Sequence, residues 1–123
     1  MKRTNLRTTS VDQLVERFIA ITLDQDKAIA ADDAGKYNRL FEQMEAVKRE
    51  LKAREGDQRR ALLRLYDHPN IQVRLKAVTA TLAVAPERAR RMLEIIAESR
   101  EYPQAGDAGM TIDALDRGIF KPT

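Results

Sequence analysis

Along most of this chain, apolar side chains recur every three or four positions, the spacing that places them on one face of an α-helix. The first such stretch follows Ser10, whose hydroxyl is suited to accept from a backbone amide of the first turn. Gln13 stands where it would complete a capping box. The pattern therefore predicts a first helix from Val11 to about Ala30.

A second apolar stripe covers residues 37–51, over four helical turns. Asp32 and Asp33 precede it, and their negative charge suits the N-terminal end of a helix dipole. Gly56 follows the stripe and is a typical helix stop. We therefore predict a second helix between the two aspartates and Gly56.

Pro69 determines where the predicted third helix must end. Asp57 is expected to cap a short third helix, which must end by His68 because Pro69 disfavours a helical conformation in the residue before it. Residues 70–84 carry apolar side chains on most sides, so we predict a fourth helix there that is the central, most buried one. Alternation within residues 71–78 also fits a strand, but the alanine-rich continuation favours a helix.

The C-terminal part of the chain predicts two more helices. Pro86 suits the first position of a fifth helix, where its missing amide costs nothing, and Tyr102 ends that helix before another proline. A loop containing glycine is expected through Gly109. Thr111 then caps a short sixth helix, which Gly118 closes.

These elements predict an all-α protein of about six helices. Helices one and two, then three and four, are expected to form antiparallel pairs, with helices five and six covering the end. Hydrophobic residues make up 43% of the chain and charged residues 33%, which is typical of a globular protein. At 123 residues we expect a flexible N-terminus over residues 1–9 and one domain over residues 10–123.

The composition also excludes some cellular locations and some kinds of site. The chain contains no cysteine, which excludes disulfides and cysteine-based zinc sites. Its N-terminus leads into polar residues rather than a secretory signal, and no apolar run approaches the roughly 20 residues that span a bilayer. We therefore expect a cytoplasmic protein without membrane contact, and we assign no cofactor.

Residues 67–77, DHPNIQVRLKA, resemble the turn and second helix of a HEAT repeat. That pattern is a proline-containing turn, a small polar residue, then Val-Arg and an alanine three residues after the arginine. The resemblance is clearest over about residues 58–97. It implies HEAT-like stacked helix pairs, an α-α superhelix, in which Arg74 ties neighbouring turns through an acidic or carbonyl partner. The residues that carry this signature are Asp67, Pro69, Val73, Arg74 and Ala77.

The whole chain is also similar to a family of short bacterial HEAT-like proteins catalogued only as a domain of unknown function. This resemblance implies the fold and brings no activity with it.

Two groups of side chains suggest site chemistry, and each has a structural alternative. His68 is the only histidine; as a general base it needs an orienting partner and a pocket, and we favour a role in the turn. Asp24, Asp26, Asp32 and Asp33 do not match the spacing of a calcium loop, and we favour helix-end charges. We therefore assign no catalytic and no metal-binding residue.

Charge is distributed unevenly, although the net charge is only +3. Residues 48–91, which we call the basic segment, hold twelve basic and five acidic side chains, a net charge of +7. Residues 11–47 carry −4 and residues 94–123 carry −3. Cations gathered on one face neutralise phosphates, with binding that depends strongly on salt. Only Tyr66 is available there for base stacking. The cations are Lys48, Arg49, Lys52, Arg54, Arg59, Arg60, Arg64, Arg74, Lys76, Arg88, Arg90 and Arg91.

We expect the protein to be a non-enzymatic helical scaffold that binds another protein, because stacked helix pairs curve and present a concave binding face. An inhibitor or immunity-type role is one form of this function. The alternative is weak, sequence-independent nucleic-acid binding through the basic segment. Partner identity and oligomeric state stay open. The candidate contact residues for a protein partner are Arg60, Arg64, Gln72, Lys76 and Thr79.

Overall fold

The computed structural model describes residues 5–123 and is all-α over that range, as predicted. The chain divides into two compact units, the first ending at Ala61 and the second running from Leu62 to Thr123. One domain over residues 10–123 stays a prediction. The helices are the 3₁₀ helix Leu6–Thr8, α1 (Val11–Ala30), α2 (Ala34–Ala53), the 3₁₀ helix Gln58–Asp67, α3 (Ile71–Thr81), α4 (Pro86–Glu98) and α5 (Gln104–Asp116).

The N-terminal segment is held in place by an arginine of the same unit. Residues 1–4 of the predicted flexible N-terminus lie outside the described residues. In the remainder, the Arg54 Nη2 atom donates to the carbonyl oxygens of Leu6 (3.0 Å) and Thr9 (2.7 Å). The Arg54 Nε atom donates to Glu50 at 2.6 Å. These hydrogen bonds join the segment to a residue more than forty positions along the chain, and its flexibility stays a prediction.

Helix α1 begins and ends where the sequence predicts. The Ser10 hydroxyl accepts from the Gln13 amide (3.1 Å) and the Gln13 side chain accepts from the Ser10 amide (3.1 Å), which completes the capping box. At the other end Asp32 has φ = 53°, and the Asp33 amide donates to the Ala28 carbonyl (2.9 Å), as in a Schellman motif. The Asp33 side chain then caps α2. A short turn therefore joins the two helices, which pack against each other.

The segment predicted as a third α-helix is a 3₁₀ helix, Gln58–Asp67. Asp57 has φ = 52°, whereas an α-helical N-cap residue has an extended backbone. A 3₁₀ helix repeats every three residues, so Arg59, Leu62 and Leu65 are eclipsed on one face. All three are buried, with exposed fractions of 6%, 0% and 5%. The tighter helix therefore buries an arginine that an α-helical reading leaves at the surface.

Helix α3 is buried on nearly all sides, as predicted, because none of its residues is exposed. Asn70 caps it by accepting from the amides of Gln72 (2.9 Å) and Val73 (3.1 Å). The helix contains buried Thr81, whose hydroxyl donates to the Ala77 carbonyl at 2.8 Å. Residues 71–78 lie within this α-helix and therefore do not form the strand that their alternating pattern also allowed.

Helices α4 and α5 pack against each other and against α3. Pro86 occupies the first turn of α4, as predicted. The glycine-containing loop and the Thr111 cap are wrong, because α5 starts at Gln104 and runs through Gly109. Burial of Ala105 and Ala108 against the neighbouring helices outweighs the low helix propensity of glycine. Gly118 closes α5 as predicted, with φ = 70°.

We expect Gly109→Ala to raise the free energy of unfolding by up to about 1 kcal/mol, since alanine is the better helix former. An added β-carbon at Gly109 meets no atom within 4 Å. Gly118→Ala is the matched control and should lower stability by about 1 kcal/mol, because φ = 70° is unfavourable for a residue with a β-carbon. Urea unfolding followed by circular dichroism measures both. A destabilised Gly109→Ala protein would contradict the packing described here.

Candidate functional site

The HEAT-like turn is built from local hydrogen bonds. The His68 Nδ1 atom accepts from the Asn70 amide at 3.0 Å, so the imidazole takes part in shaping the turn, the role favoured from the sequence. Asp67 and Pro69 are exposed beside it. The histidine therefore acts as an acceptor within the turn that starts α3.

Two of the remaining signature residues lie in the hydrophobic core, and the third, Arg74, does not form the expected contact through its Nε atom. Val73 and Ala77 are fully buried on α3. The Nε atom of Arg74 is buried and has no hydrogen-bond partner among the described residues. The implied tie between neighbouring turns is therefore not made by that atom. Val73 and Ala77 thus lie in the core, and the role of Arg74 in tying neighbouring turns stays a prediction.

The predicted protein-contact residues do not form one exposed set. Arg60 and Arg64 are exposed, and Lys76 and Thr79 are half-buried. Gln72 is only 1% exposed, so its assignment to an exposed contact surface was wrong. Its side-chain oxygen accepts from Gln104 Nε2 at 2.9 Å, a partner 32 positions away. A buried amide pair of this kind leaves no local signal in the sequence.

Carboxylates neutralise part of the basic segment. Arg59 is 6% exposed and is therefore not part of a basic surface, contrary to the prediction. Salt bridges hold at least four of the twelve cations: Lys48 with Glu45 (2.9 Å), Arg54 with Glu50 (2.6 Å), Arg59 with Asp57 (2.6 Å) and Arg90 with Asp116 (2.6 Å). Glu50 and Asp57 are already counted in the net charge of +7, but Glu45 and Asp116 lie outside residues 48–91, so the positive charge available to a phosphate backbone is smaller than +7.

Tyr66, the aromatic residue expected to be available for base stacking, is also buried, with 6% exposed. The Thr81 hydroxyl proton goes to the Ala77 carbonyl, so the Tyr66 hydroxyl donates to Thr81 Oγ1 at 2.5 Å. The Arg88 guanidinium lies 5.6 Å from the centre of the ring. Burial raises the pKa of Tyr66. The ring is therefore a core group rather than a stacking platform.

An open cavity of about 370 Å³ lies in the second unit. Its only charged lining residue is Arg90, which pairs with Asp116 (2.6 Å) and Glu94 (3.2 Å). That guanidinium lowers the pKa of the Asp116 carboxyl. The cavity suits an apolar group more than acid–base chemistry, because its other walls are apolar. Those walls are Leu82, Ala83, Pro86, Leu115 and Pro122.

Large apolar side chains are exposed on the second unit, which sequence periodicity did not identify. Tyr102 is 72% exposed, Met110 70%, Ile119 67% and Ile95 57%. One signal was available, because Ile95 and its neighbour Ile96 lie about 100° apart around a helix, so a narrow apolar face buries only one of them. The other three lie in the region that was predicted as a loop or a short final helix.

Of the four aspartates weighed as a metal site, Asp24 and Asp26 lie within α1, and Asp32 and Asp33 form the α1–α2 turn. Asp32 adopts the left-handed conformation and Asp33 caps α2. Within residues 5–123, no three acidic or histidine side chains are placed to hold a metal ion. Over the same range, every helix is too short or too polar to cross a membrane.

These helices define a small all-α protein with exposed apolar side chains on and beside its last two helices. The chain belongs to the family described as domain of unknown function DUF2019, which matches residues 12–116. It is similar to the protein RPA1889 from Rhodopseudomonas palustris, known from a crystal structure, with 50% sequence identity and a TM-score of 0.95. That match covers 98% of this chain and 100% of the other. No curated protein matches the chain.

We expect Asp57→Asn to destabilise the protein by about 1 kcal/mol at neutral pH, because Arg59 loses a charged partner. Arg59 lowers the pKa of Asp57, so the folded state favours the carboxylate. This contribution is present above the unfolded pKa of about 3.9 and is lost as pH falls through the lower folded value.

The free-energy gap between the natural protein and Asp57→Asn should therefore be constant near neutral pH and shrink below about pH 4. Urea unfolding at a series of pH values measures it. Glu55→Gln, at an exposed neighbouring carboxylate, is the control and should show little gap at any pH. A gap for Asp57→Asn that grows in acid would contradict the ion pair.

Proposed function

We propose that this protein is a non-enzymatic helical scaffold that binds another protein. The observation that carries this function is the exposure of four large apolar side chains on the second unit, from Ile95 to Ile119. Exposed apolar area is unfavourable in water by roughly 25 cal/mol per Å², so large side chains with this exposure are candidates for contact with a partner. Covering these side chains with a partner would recover that free energy.

The HEAT-like character of the chain supports the same function. Helices α1 and α2 pack together, as do α4 and α5, and a proline-containing turn precedes α3. Helix-pair repeats bind proteins on surfaces made by successive helices. An inhibitor or immunity-type role in the cytoplasm is the form we favour, and cell fractionation would test that location.

Nucleic-acid binding is the alternative function. Arg49, Lys52, Arg60 and Arg91 are exposed and carry the charge that this activity needs. Salt bridges occupy other cations of the basic segment, and its tyrosine is buried. Stacking contributes about 1–3 kcal/mol per base in proteins that bind single strands, and buried Tyr66 does not supply it in the basic segment. We therefore favour a protein partner.

Affinity capture with the tagged full-length chain from the source cell, followed by mass spectrometry, tests the proposed function. We expect one protein in stoichiometric amount that is absent from a capture with an unrelated tagged helical protein of similar charge. The test should be repeated after nuclease treatment. Recovery of no such protein, or of proteins that disappear with nuclease, would overturn the function.

Titration of labelled duplex and single-stranded oligonucleotides tests the alternative. We expect no binding at about 150 mM salt, where a protein with few phosphate contacts loses affinity. The decisive variant is Arg60→Glu combined with Arg64→Glu, with Arg100→Glu outside the basic segment as the matched control. Micromolar binding that falls steeply with salt and is lost only in the double variant would make nucleic acid the preferred partner.

A further inference from the structure

Tyr102 and Met110 lie on one outer stripe at the start of α5. The β-carbon that Gly106 lacks would lie 3.8 Å from Cδ1 of Tyr102 and 4.0 Å from Cε1. The tyrosine ring therefore lies beside the helix backbone at Gly106. Met110 follows Gly106 by four residues, so it projects from the same face one turn later. The two side chains are 72% and 70% exposed.

The surroundings of this stripe are acidic. Glu98, Glu101 and Asp107 are exposed, and none of them forms a salt bridge within the described part of the chain. Arg100 is the only basic residue between positions 98 and 110, so this stretch carries a net charge of −2. An apolar pair is thus framed by carboxylates that have no cation of their own. We call Glu98, Glu101, Tyr102, Gly106, Asp107 and Met110 the α5 stripe.

We infer that the α5 stripe is the docking surface for a cationic amphipathic segment of another protein, an inference that rests on the proposed function. Apolar anchors of the partner would cover Tyr102 and Met110, and its flanking lysine or arginine side chains would pair with the carboxylates. Gly106 lets an anchor approach the helix backbone closely between them. The surface thus selects the partner by both charge and shape.

A second copy of this chain fits the stripe less well. In a two-fold dimer the stripe would face itself, and its net negative charge would be repelled by an identical charge. A head-to-tail contact with the basic segment of another copy would satisfy the charges, but it forms chains or rings whose size grows with concentration. Sedimentation of the purified protein would detect such species.

The first test uses a synthetic amphipathic helical peptide of leucine and lysine, titrated into the full-length protein at about 150 mM salt. We expect the natural protein to bind this peptide and each of the variants Met110→Ser and Glu101→Lys to bind it about tenfold more weakly. The first variant removes an apolar contact and the second removes a carboxylate that would pair with lysine. A peptide with glutamate in place of lysine should not bind. Both variants change exposed side chains, and circular dichroism checks that they fold.

Gly106→Ala is a sharper probe. The new β-carbon makes only an ordinary contact with Tyr102, so the fold should keep or gain stability while peptide binding weakens. The matched controls lie within residues 11–47 of the first unit, a stretch that also has a net negative charge, −4. They are Phe41→Ser, at an aromatic residue that is 37% exposed, and Glu42→Lys, at an exposed carboxylate. Neither should alter peptide binding.

Three results would overturn the assignment of the α5 stripe. In the first, the variants bind the lysine peptide as well as the natural protein does; in the second, the glutamate peptide binds as well as the lysine peptide. In the third, the natural protein self-associates and Met110→Ser abolishes that self-association. Affinity capture with Met110→Ser separates this failure from that of the function. If the natural protein and the variant capture the same protein equally, the stripe is wrong and the scaffold function stands. If neither captures a protein, the function itself fails.

Discussion

Helix α3 is buried on almost every side, and the packing of the second unit depends on this burial. The fully buried polar side chains of this helix, Gln72 and Thr81, must find their hydrogen-bond partners inside the protein. Thr81 does so through its own helix and through Tyr66, and Gln72 through Gln104 of α5. Because Gln72 and Gln104 are both buried, their hydrogen bond fixes the position of the last helix as well as satisfying two amides.

Features that depend on neighbouring residues could be predicted from the sequence. The capping box at Ser10, the proline at the start of α4 and the closing glycine of α5 each act within a few residues of their position. The buried character of α3 was also predictable, since it depends on composition over one helix. The extent of α5 was not, because two glycines within it are overridden by packing against α4.

The candidate surface was harder to predict than the fold. Residues 48–91 have a strongly positive net charge in the sequence, but contacts with carboxylates outside the segment, Lys48 with Glu45 and Arg90 with Asp116, neutralise part of that charge. Burial of Arg59 follows from the repeat of a 3₁₀ helix, which apolar periodicity of the α-helical kind does not reveal. The exposed side chains on α4 and α5 became apparent only once the extent of α5 was known.

Helix α5 combines features that make it the easiest element of the second unit to open. It has two internal glycines, no side-chain hydrogen bond at its N-cap, and no buried residue after Ala108. Such segments exchange their amide hydrogens through local fluctuations that cost less than global unfolding. A molecule that binds to this helix would therefore stabilise the end of the chain against local opening. Its binding would slow amide hydrogen exchange from Gly109 to Asp116.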